Sequence, residues 1–485
     1  MAADAEALAH YEQAMMAYAR AFGDQWDPLQ QAALERKIGE TLFRRGEHAQ
    51  GLDRLQRALA TLGESLPTSR WGVRLAIVCE IVRQVGHRLF PGLFLKPASG
   101  PPPPTLEEVI HLYELIMWME MFMNPERFLL ASIRLLNVSE RSGVSYGAAF
   151  GSTGLGLVMD YIPIFWLAES YHRRAVALAE QAQRPDTLSV TYIGMGAHKV
   201  WYLGELDVAI EYYRQAAAIC QETGDLHSWG SATNMLAVAL NYQGNFRQAL
   251  THCRDNVHLG QDGADAQVQL WGLSTQGFSL RRLGQFDEAI AVLRECVELA
   301  ERAPDHAIYV SASGELGRCY LCQGELEQAL SMLHAGQQIC VEHGIGWGNE
   351  APLCNGLAEA YLMAAEQSDT LQQSEKADWL KKAKRACQVA LKHGRAFRSA
   401  LPEAMMLQGR YEWLRDKPKA AQKWWQRSLE LAEKQGQRYD LGMTHLEMGQ
   451  RLGERAHLER AEAIFTEIGA EWDLARAREL LERGG

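Results

Sequence analysis

The sequence predicts an all-α solenoid made of stacked helical hairpins. A glycine recurs four times at a spacing of 40 residues, at Gly204, Gly244, Gly284 and Gly324. An alanine follows each of these glycines five places later, and a small residue precedes each by seven places. A fixed period of this length indicates repeated supersecondary units that share their burial with neighbours, rather than one compact core.

Each period predicts a helix, a tight turn and a second, antiparallel helix. Before the glycine, apolar residues lie three and four places apart, as on one face of a helix. The glycine suits the end of that helix, where φ > 0 is required. The small residue before the glycine and the alanine after it let the two helices approach closely. One such hairpin cannot bury both of its faces, so the hairpins must stack.

This pattern resembles the tetratricopeptide repeat, whose small, glycine and alanine positions match those of the four copies one by one. The period here is 40 residues, whereas that of the tetratricopeptide repeat is about 34. The resemblance implies a right-handed superhelix of antiparallel helix pairs. It also implies that the first helices of the pairs line the concave face.

The chain is expected to have three segments. Residues 1–90 are predicted to hold an N-terminal cap helix and a first repeat unit. Residues 91–104 are predicted to form a loop, because six of them are prolines and proline removes a backbone donor and fixes φ. Residues 105–485 are predicted to form the repeat array, closed by an amphipathic capping helix at 471–483.

Charge and composition limit the function classes. Lys and Arg number 49 and Asp and Glu 60, which gives the 485-residue chain a net charge of −11. This balance argues against nonspecific nucleic-acid binding, which needs a basic surface. Nine cysteines without a framework of short, even spacings indicate reduced thiols in a cytosolic protein. No signal peptide or transmembrane segment is evident, so we expect a cytoplasmic protein without membrane contact.

Two short motifs could carry chemistry, and neither has the context it needs. Gly143 to Gly147 fits the G-x-S-x-G pattern, but a nucleophile elbow requires a preceding strand and the preceding segment is predicted helical. Cys319 and Cys322 form a C-x-x-C pair, but a zinc site needs a second pair or histidines at matching spacing. We therefore predict no enzyme activity, no catalytic residues, no metal and no cofactor.

The candidate binding residues lie on the first helices of the repeats, at positions that face inward in tetratricopeptide arrays. They are His198, Trp201, Asn234, Asn241, Trp271, Phe278, Arg281 and Arg318. Aromatic side chains offer contact area, amides bond an extended backbone, and arginines pair with carboxylates. Arg281 and Arg318 would flank the row and favour an acidic partner. The alternative is that these side chains pack between repeats or face water.

The closing passage, from His457 to Ala477, resembles the C-terminal ends of bacterial signalling proteins. In these, a class III adenylate or guanylate cyclase, or a kinase, precedes a STAND-type ATPase and a tetratricopeptide sensor. The resemblance implies the sensor portion of such a protein or a freestanding relative. The leading hypothesis is a non-enzymatic scaffold that binds a protein or peptide, as the sensor or partner-recognition module of a bacterial signalling system. The alternative is a small-ligand-responsive solenoid that controls an attached or partner ATPase or cyclase.

Overall fold

The computed structural model describes residues 2–94, 100–263, 265–303, 305–344, 348, 350–367 and 373–483. These residues form 24 α-helices and no strand. The predicted fold class, an all-α solenoid of antiparallel helix pairs, is confirmed. None of the helices in these ranges combines the length and apolar character that a membrane span needs.

The first half of the chain contains twelve of these helices. They are α1 (Ala2–Phe22), α2 (Pro28–Arg44), α3 (His48–Thr61), α4 (Arg70–Leu89), α5 (Pro91–Phe94), α6 (Pro104–Met123), α7 (Pro125–Ser142), α8 (Ser145–Tyr161), α9 (Phe165–Ala182), α10 (Pro185–Ala197), α11 (Leu206–Thr223) and α12 (Leu226–Gln243). A short π-helical segment, His198–Leu203, follows α10, and a 3-10 turn, Gly23–Gln25, follows α1.

The second half contains the other twelve. They are α13 (Phe246–Gly263), α14 (Ala266–Arg282), α15 (Phe286–Arg302), α16 (His306–Cys322), α17 (Leu326–His343), α18 (Ala351–Gln367), α19 (Gln373–Ala396), α20 (Leu401–Leu414), α21 (Pro418–Gln435), α22 (Arg438–Leu452), α23 (Arg455–Ile468) and α24 (Glu471–Arg483). A 3-10 turn, Arg398–Ala400, precedes α20.

The chain divides into two compact units. The N-terminal unit comprises residues 1–198, 215–232 and 259–268, and the C-terminal unit comprises residues 199–214, 233–258 and 269–485. The predicted division at 91–104 falls inside the N-terminal unit and stays a prediction. Part of that segment, residues 95–99, lies outside the described residues, while residues 91–94 form α5.

In the N-terminal unit, glycines let α8 lie close against α7. A Cβ atom added at Gly151 would lie 2.6 Å from the backbone nitrogen of Leu136, and one at Gly154 would lie 2.4 Å from Ser132 Oγ. Contacts of this kind leave no room for any side chain. The glycine-rich composition of α8 therefore reflects helix packing.

In the C-terminal unit the repeats have the predicted hairpin geometry. The four periodic glycines all have positive φ, between 72° and 93°, which confirms the predicted turn. The alanines five places later are fully buried. A Cβ atom at Gly277 would lie 2.3 Å from Leu293, and one at Gly317 would lie 2.6 Å from Leu333. Small residues at these positions thus let the two helices of a pair touch.

The last helices of the chain pack against the turns of the central repeats within the C-terminal unit. A Cβ atom at Gly284 would lie 2.6 Å from the Cβ of Trp472, and one at Gly204 would lie 2.3 Å from Gln435. The rings of Phe286 and Trp472 meet edge to face at 5.2 Å. Glycine is therefore required at these turns for two reasons, the positive φ and the close approach of the neighbouring helix.

Candidate functional site

A row of polar side chains joins first helices of successive repeats in the C-terminal unit. Thr275 of α14 donates to Asn234 Oδ1 at 2.8 Å, and Ser279 donates to Asn241 Oδ1 at 2.9 Å. All four side chains are buried. The bonds satisfy polar groups that burial would otherwise penalise, and they fix α14 against α12.

Ion pairs continue the row toward the C-terminus. Arg281 Nε lies 2.5 Å from Glu315 Oε2 on α16. Arg318 of α16 bonds to both oxygens of Glu403 on α20 and lies 3.3 Å from Glu359 on α18. We call these residues, together with the ion pair of Arg282 and Asp440 described next, the polar ladder. Its members are Asn234, Asn241, Thr275, Ser279, Arg281, Arg282, Glu315, Arg318, Glu359, Glu403 and Asp440.

The charges in the polar ladder are mutually compensated. Burial opposes ionisation of Glu403, but the guanidinium groups of Arg318 and Arg282 outweigh it and lower the pKa of Glu403 to about 2. Arg282 Nη1 also lies 3.3 Å from Asp440 Oδ1. Burial and the charge of Glu403 raise the pKa of Asp440 to about 6, although Arg282 works in the opposite direction. Glu403 is therefore held as a carboxylate at neutral pH.

Tyr439 of α22 anchors the far end of the ladder. Its hydroxyl donates to Asp473 Oδ2 at 2.7 Å, and the guanidinium of Arg282 lies 3.8 Å from the centre of its ring. Burial raises the pKa of Tyr439 well above its ordinary value. The phenol therefore stays a hydrogen-bond donor, and α24 is bonded to α22 through it.

Beside the ladder, a row of apolar side chains on α12 and α14 stays partly exposed. Met235, Val238 and Tyr242 follow a helical spacing on α12, and Trp271 and Phe278 do so on α14; each is intermediate in burial. The rings of Tyr242 and Phe278 meet edge to face at 5.9 Å. We call these five residues the aromatic stripe.

The eight sequence-predicted site residues take three kinds of position. Half-buried positions hold Trp201, Trp271 and Phe278. Buried positions in the polar ladder hold Asn234, Asn241, Arg281 and Arg318. His198 is buried in the N-terminal unit, whereas the other seven belong to the C-terminal unit. A binding role for these residues stays a prediction; sequence reasoning did not include Met235.

His198 belongs to a buried cluster with two carboxylates and a second histidine. Its Nδ1 lies 2.7 Å from Asp160 Oδ1, and its Nε2 lies 2.7 Å from Glu169 Oε2. His172 Nε2 lies 3.0 Å from Asp160 Oδ2, and burial lowers the pKa of His172. Gly156 makes room for the ring of His172, since a Cβ atom there would lie 2.7 Å from it.

This cluster was missed as a set, although Asp160 stands out in the sequence as a charge within an apolar stretch. Ligand atoms of Asp160, His172 and His198 lie within 4.8 Å of one another, so these residues could hold a metal ion. The nitrogen–oxygen separations of 2.7 and 3.0 Å are hydrogen-bond distances. As it stands, the cluster ties α8, α9 and the end of α10 together by hydrogen bonds.

The G-x-S-x-G motif lies between two helices and the C-x-x-C motif lies within one, as the sequence predicts. Gly143 ends α7 in a left-handed conformation with φ 70°, and Ser145 begins α8. The G-x-S-x-G pattern is thus a helix-to-helix turn. Cys319 and Cys322 both lie on α16, and burial raises the pKa of Cys322 to about 12. Neither thiol is activated as a nucleophile.

Comparison with known proteins agrees with the repeat geometry. Residues 269–336 match the family model of the tetratricopeptide repeat. The fold is similar to that of a Rap protein complexed with competence and sporulation factor, with a TM-score of 0.51 and 11% identity over 85% of this chain and 100% of that chain.

Two further solved structures are similar at lower scores. Aspartyl phosphate phosphatase F from Bacillus subtilis has a TM-score of 0.45 and 11% identity over 84% of this chain and 95% of that chain. The apo form of the quorum sensor NprR from B. thuringiensis has a TM-score of 0.46 and 13% identity over 79% of this chain and 99% of that chain. No curated protein sequence matches the chain significantly. From the 40-residue hairpins, the family match over residues 269–336 and the fold, the chain contains tetratricopeptide repeats.

Proposed function

We propose that this chain is a non-enzymatic scaffold that captures a peptide or protein segment on the aromatic stripe of the C-terminal unit. The observation that carries the proposal is the row of partly exposed side chains across α12 and α14, with Tyr242 and Phe278 in ring contact. Aromatic side chains supply large contact areas at low entropic cost and dominate many interfaces.

The polar ladder supports this role because it fixes the helices that carry the stripe. Bonds from Thr275 and Ser279 to α12 hold the two helices in one register. A surface that is ordered before binding loses less entropy when a ligand docks. The stripe is therefore a preorganised surface.

The similar fold of the Rap protein, which is complexed with competence and sporulation factor, supports a recognition role for a fold of this class. We further propose that the chain acts in the bacterial cytoplasm, as the sensor or partner-recognition module of a signalling system. The expected acidic partner depended on Arg281 and Arg318, whose guanidinium groups are paired with carboxylates. The proposal therefore rests on apolar anchors rather than on charge.

A peptide library displayed on phage and selected against the whole chain tests the proposal. We expect selected peptides to carry aromatic or large aliphatic anchors. Phe278→Ala should weaken their binding roughly 10- to 100-fold, as for an interface hot spot. Trp166→Ala is the matched control, because Trp166 is an exposed aromatic on α9 of the N-terminal unit and is not a member of the stripe. Equal binding by the parent and Phe278→Ala would contradict the proposal.

A second candidate function is the response to a small polar ligand. A cleft of about 550 Å³ in the C-terminal unit is lined by charged side chains, including Glu205, Asp207, Arg398 and Lys434. Its volume falls within the roughly 300–1,000 Å³ of small-molecule sites. A thermal-shift screen of charged metabolites would favour this function if a stabilising compound lost its effect in Arg398→Gln and kept it in Phe278→Ala.

A further inference from the structure

Helix α4 in the N-terminal unit carries a continuous apolar stripe that faces solvent. Six large apolar side chains follow the alternating four- and three-residue spacing of a coiled-coil seam, and each is between 49% and 79% exposed. They are Trp71, Leu75, Val78, Val82, Val85 and Leu89. A helix face of this kind is expected to be covered.

The opposite face of α4 is mixed, with buried apolar residues beside polar ones, and its polar bonds to α7 fix the rotation of the helix. Asn137 Nδ2 donates to Glu80 Oε2 at 2.8 Å, and His87 Nδ1 lies 2.9 Å from Glu140 Oε2. Gln84 Nε2 donates to the same carboxylate at 3.4 Å. Turning the apolar stripe inward would break these buried contacts. The stripe is therefore held outward by specific bonds.

We propose that α4 pairs with α4 of a second copy of this chain, antiparallel, about a twofold axis near position 80. The spacing between successive stripe residues is the same whether it is counted from Trp71 or from Leu89. In this register Trp71 lies opposite Leu89, Leu75 opposite Val85, and Val78 opposite Val82. Every seam residue thus meets an apolar residue, as a twofold interface with one self-complementary patch requires.

The charges of α4 fit the same register. The only acidic residue of the helix, Glu80, is buried against α7, and its arginines lie outside the seam. Antiparallel pairing about position 80 sets Arg74 opposite Gly86 and Arg88 opposite Gly72. No arginine lies directly opposite another in this register.

The exposed apolar surface is large enough for a stable dimer. Four neighbouring side chains, Ile81, Phe90, Leu93 and Phe94, extend the stripe, and the ten residues together are between 44% and 80% exposed. At roughly 150–250 Å² for a fully exposed large side chain, they offer on the order of 1,000 Å². A standard interface buries about 800 Å² on each partner.

Sedimentation equilibrium of the whole chain tests the proposal. We expect a concentration-dependent dimer for the parent and a monomer for Leu75→Glu, with unchanged helical circular dichroism. Val341→Glu is the control, because Val341 is an exposed aliphatic residue on α17 in the C-terminal unit, and it should leave the dimer intact. A monomeric parent at the highest soluble concentration, or a dimer that survives Leu75→Glu, overturns the proposal.

A charge pair tests the register. Leu75→Glu and Val85→Lys should each abolish the dimer, and the double variant should restore it, because the two new charges face each other across an antiparallel pair. In a parallel pair the double variant would set like charges together and stay monomeric, which would overturn the antiparallel register. A monomeric parent that instead floats with phosphatidylglycerol vesicles would assign the stripe to a lipid surface and overturn the proposal as a whole.

Discussion

Arg318 and Glu403 lie 85 residues apart in the sequence and form a buried, two-point ion pair in the C-terminal unit, with one N–O distance of 3.2 Å. Asn355 of α18 donates to the same carboxylate at 2.8 Å. The carboxylate of Glu403 therefore joins three successive first helices, α16, α18 and α20. The pair thus fixes the first helices of the later repeats against one another, as the Thr275–Asn234 bond does in the earlier repeats.

Removing one member of this pair should be costly. We expect Arg318→Met to lower the free energy of unfolding by about 3–5 kcal/mol, because the carboxylate of Glu403 would stay buried without its main partner. Urea denaturation would measure the change, and Arg318→Met/Glu403→Leu should recover part of it. Arg455→Met, which breaks an exposed pair with Glu459, should cost at most about 1 kcal/mol. Equal effects of the two single variants would contradict the assigned role.

Gly314 tests the packing of neighbouring repeats. A Cβ atom there would lie 2.5 Å from the backbone nitrogen of Leu353 on α18, and a backbone atom cannot move aside without displacing its helix. We expect Gly314→Ala to destabilise the chain by about 1–3 kcal/mol, as for an overpacked core. Gly263→Ala, where a Cβ atom meets nothing within 4 Å, should have no such cost. Thermal melts of the two variants would give the comparison.

His445 should make stability depend on pH. Burial and the nearby His457 and Arg460 lower the pKa of His445 to about 4, from an ordinary value of about 6.5. Between these values the unfolded chain binds a proton that the folded chain does not, so stability falls as the pH is lowered. Urea midpoints at several pH values should show a shallower fall for His445→Gln than for the parent. If the urea midpoints of the parent and of His445→Gln fell equally with pH, His445 would not be the source of the pH dependence.

The thiols of α16 should be inert in the folded chain. Burial raises the pKa of Cys322 to about 12 and that of Cys319 well above its ordinary value, and the thiolate is the reactive form. We expect neither to be alkylated by iodoacetamide at neutral pH until the chain is unfolded, as read by mass spectrometry of peptides. Rapid labelling of either cysteine in the native chain would show that the helix opens.

The periodic part of the fold could be predicted from the sequence, because the features that define it are local. Gly284 and Ala289 mark a turn and a close helix contact within one hairpin, and both positions have the predicted geometry. The partners of the polar ladder could not be predicted in this way. Arg282 bonds to Asp440 across 158 positions, and no repeat spacing indicates that pairing.

The sequence pattern also could not predict which side chains of a helix are buried. The inward assignment of Arg281 came from the resemblance, and the pattern could not indicate that Glu315 lies 2.5 Å from it. Likewise, the sequence pattern does not show which face of α4 is buried, and its bonds to Asn137 and Glu140 reveal that the stripe faces outward. In both cases, burial is determined by side-chain partners from distant segments of the sequence.

The bond between Arg282 and Asp440 has a consequence for how the C-terminal unit folds. Repeat proteins with contacts only between neighbours can nucleate anywhere and grow repeat by repeat. Here, contacts between turns of the central repeats and α21 to α24 close a loop of more than 150 residues. Non-local contacts raise contact order and slow folding. The C-terminal unit should therefore fold late and in one cooperative step, and a chain released during synthesis before α22 would lack the contacts that complete it.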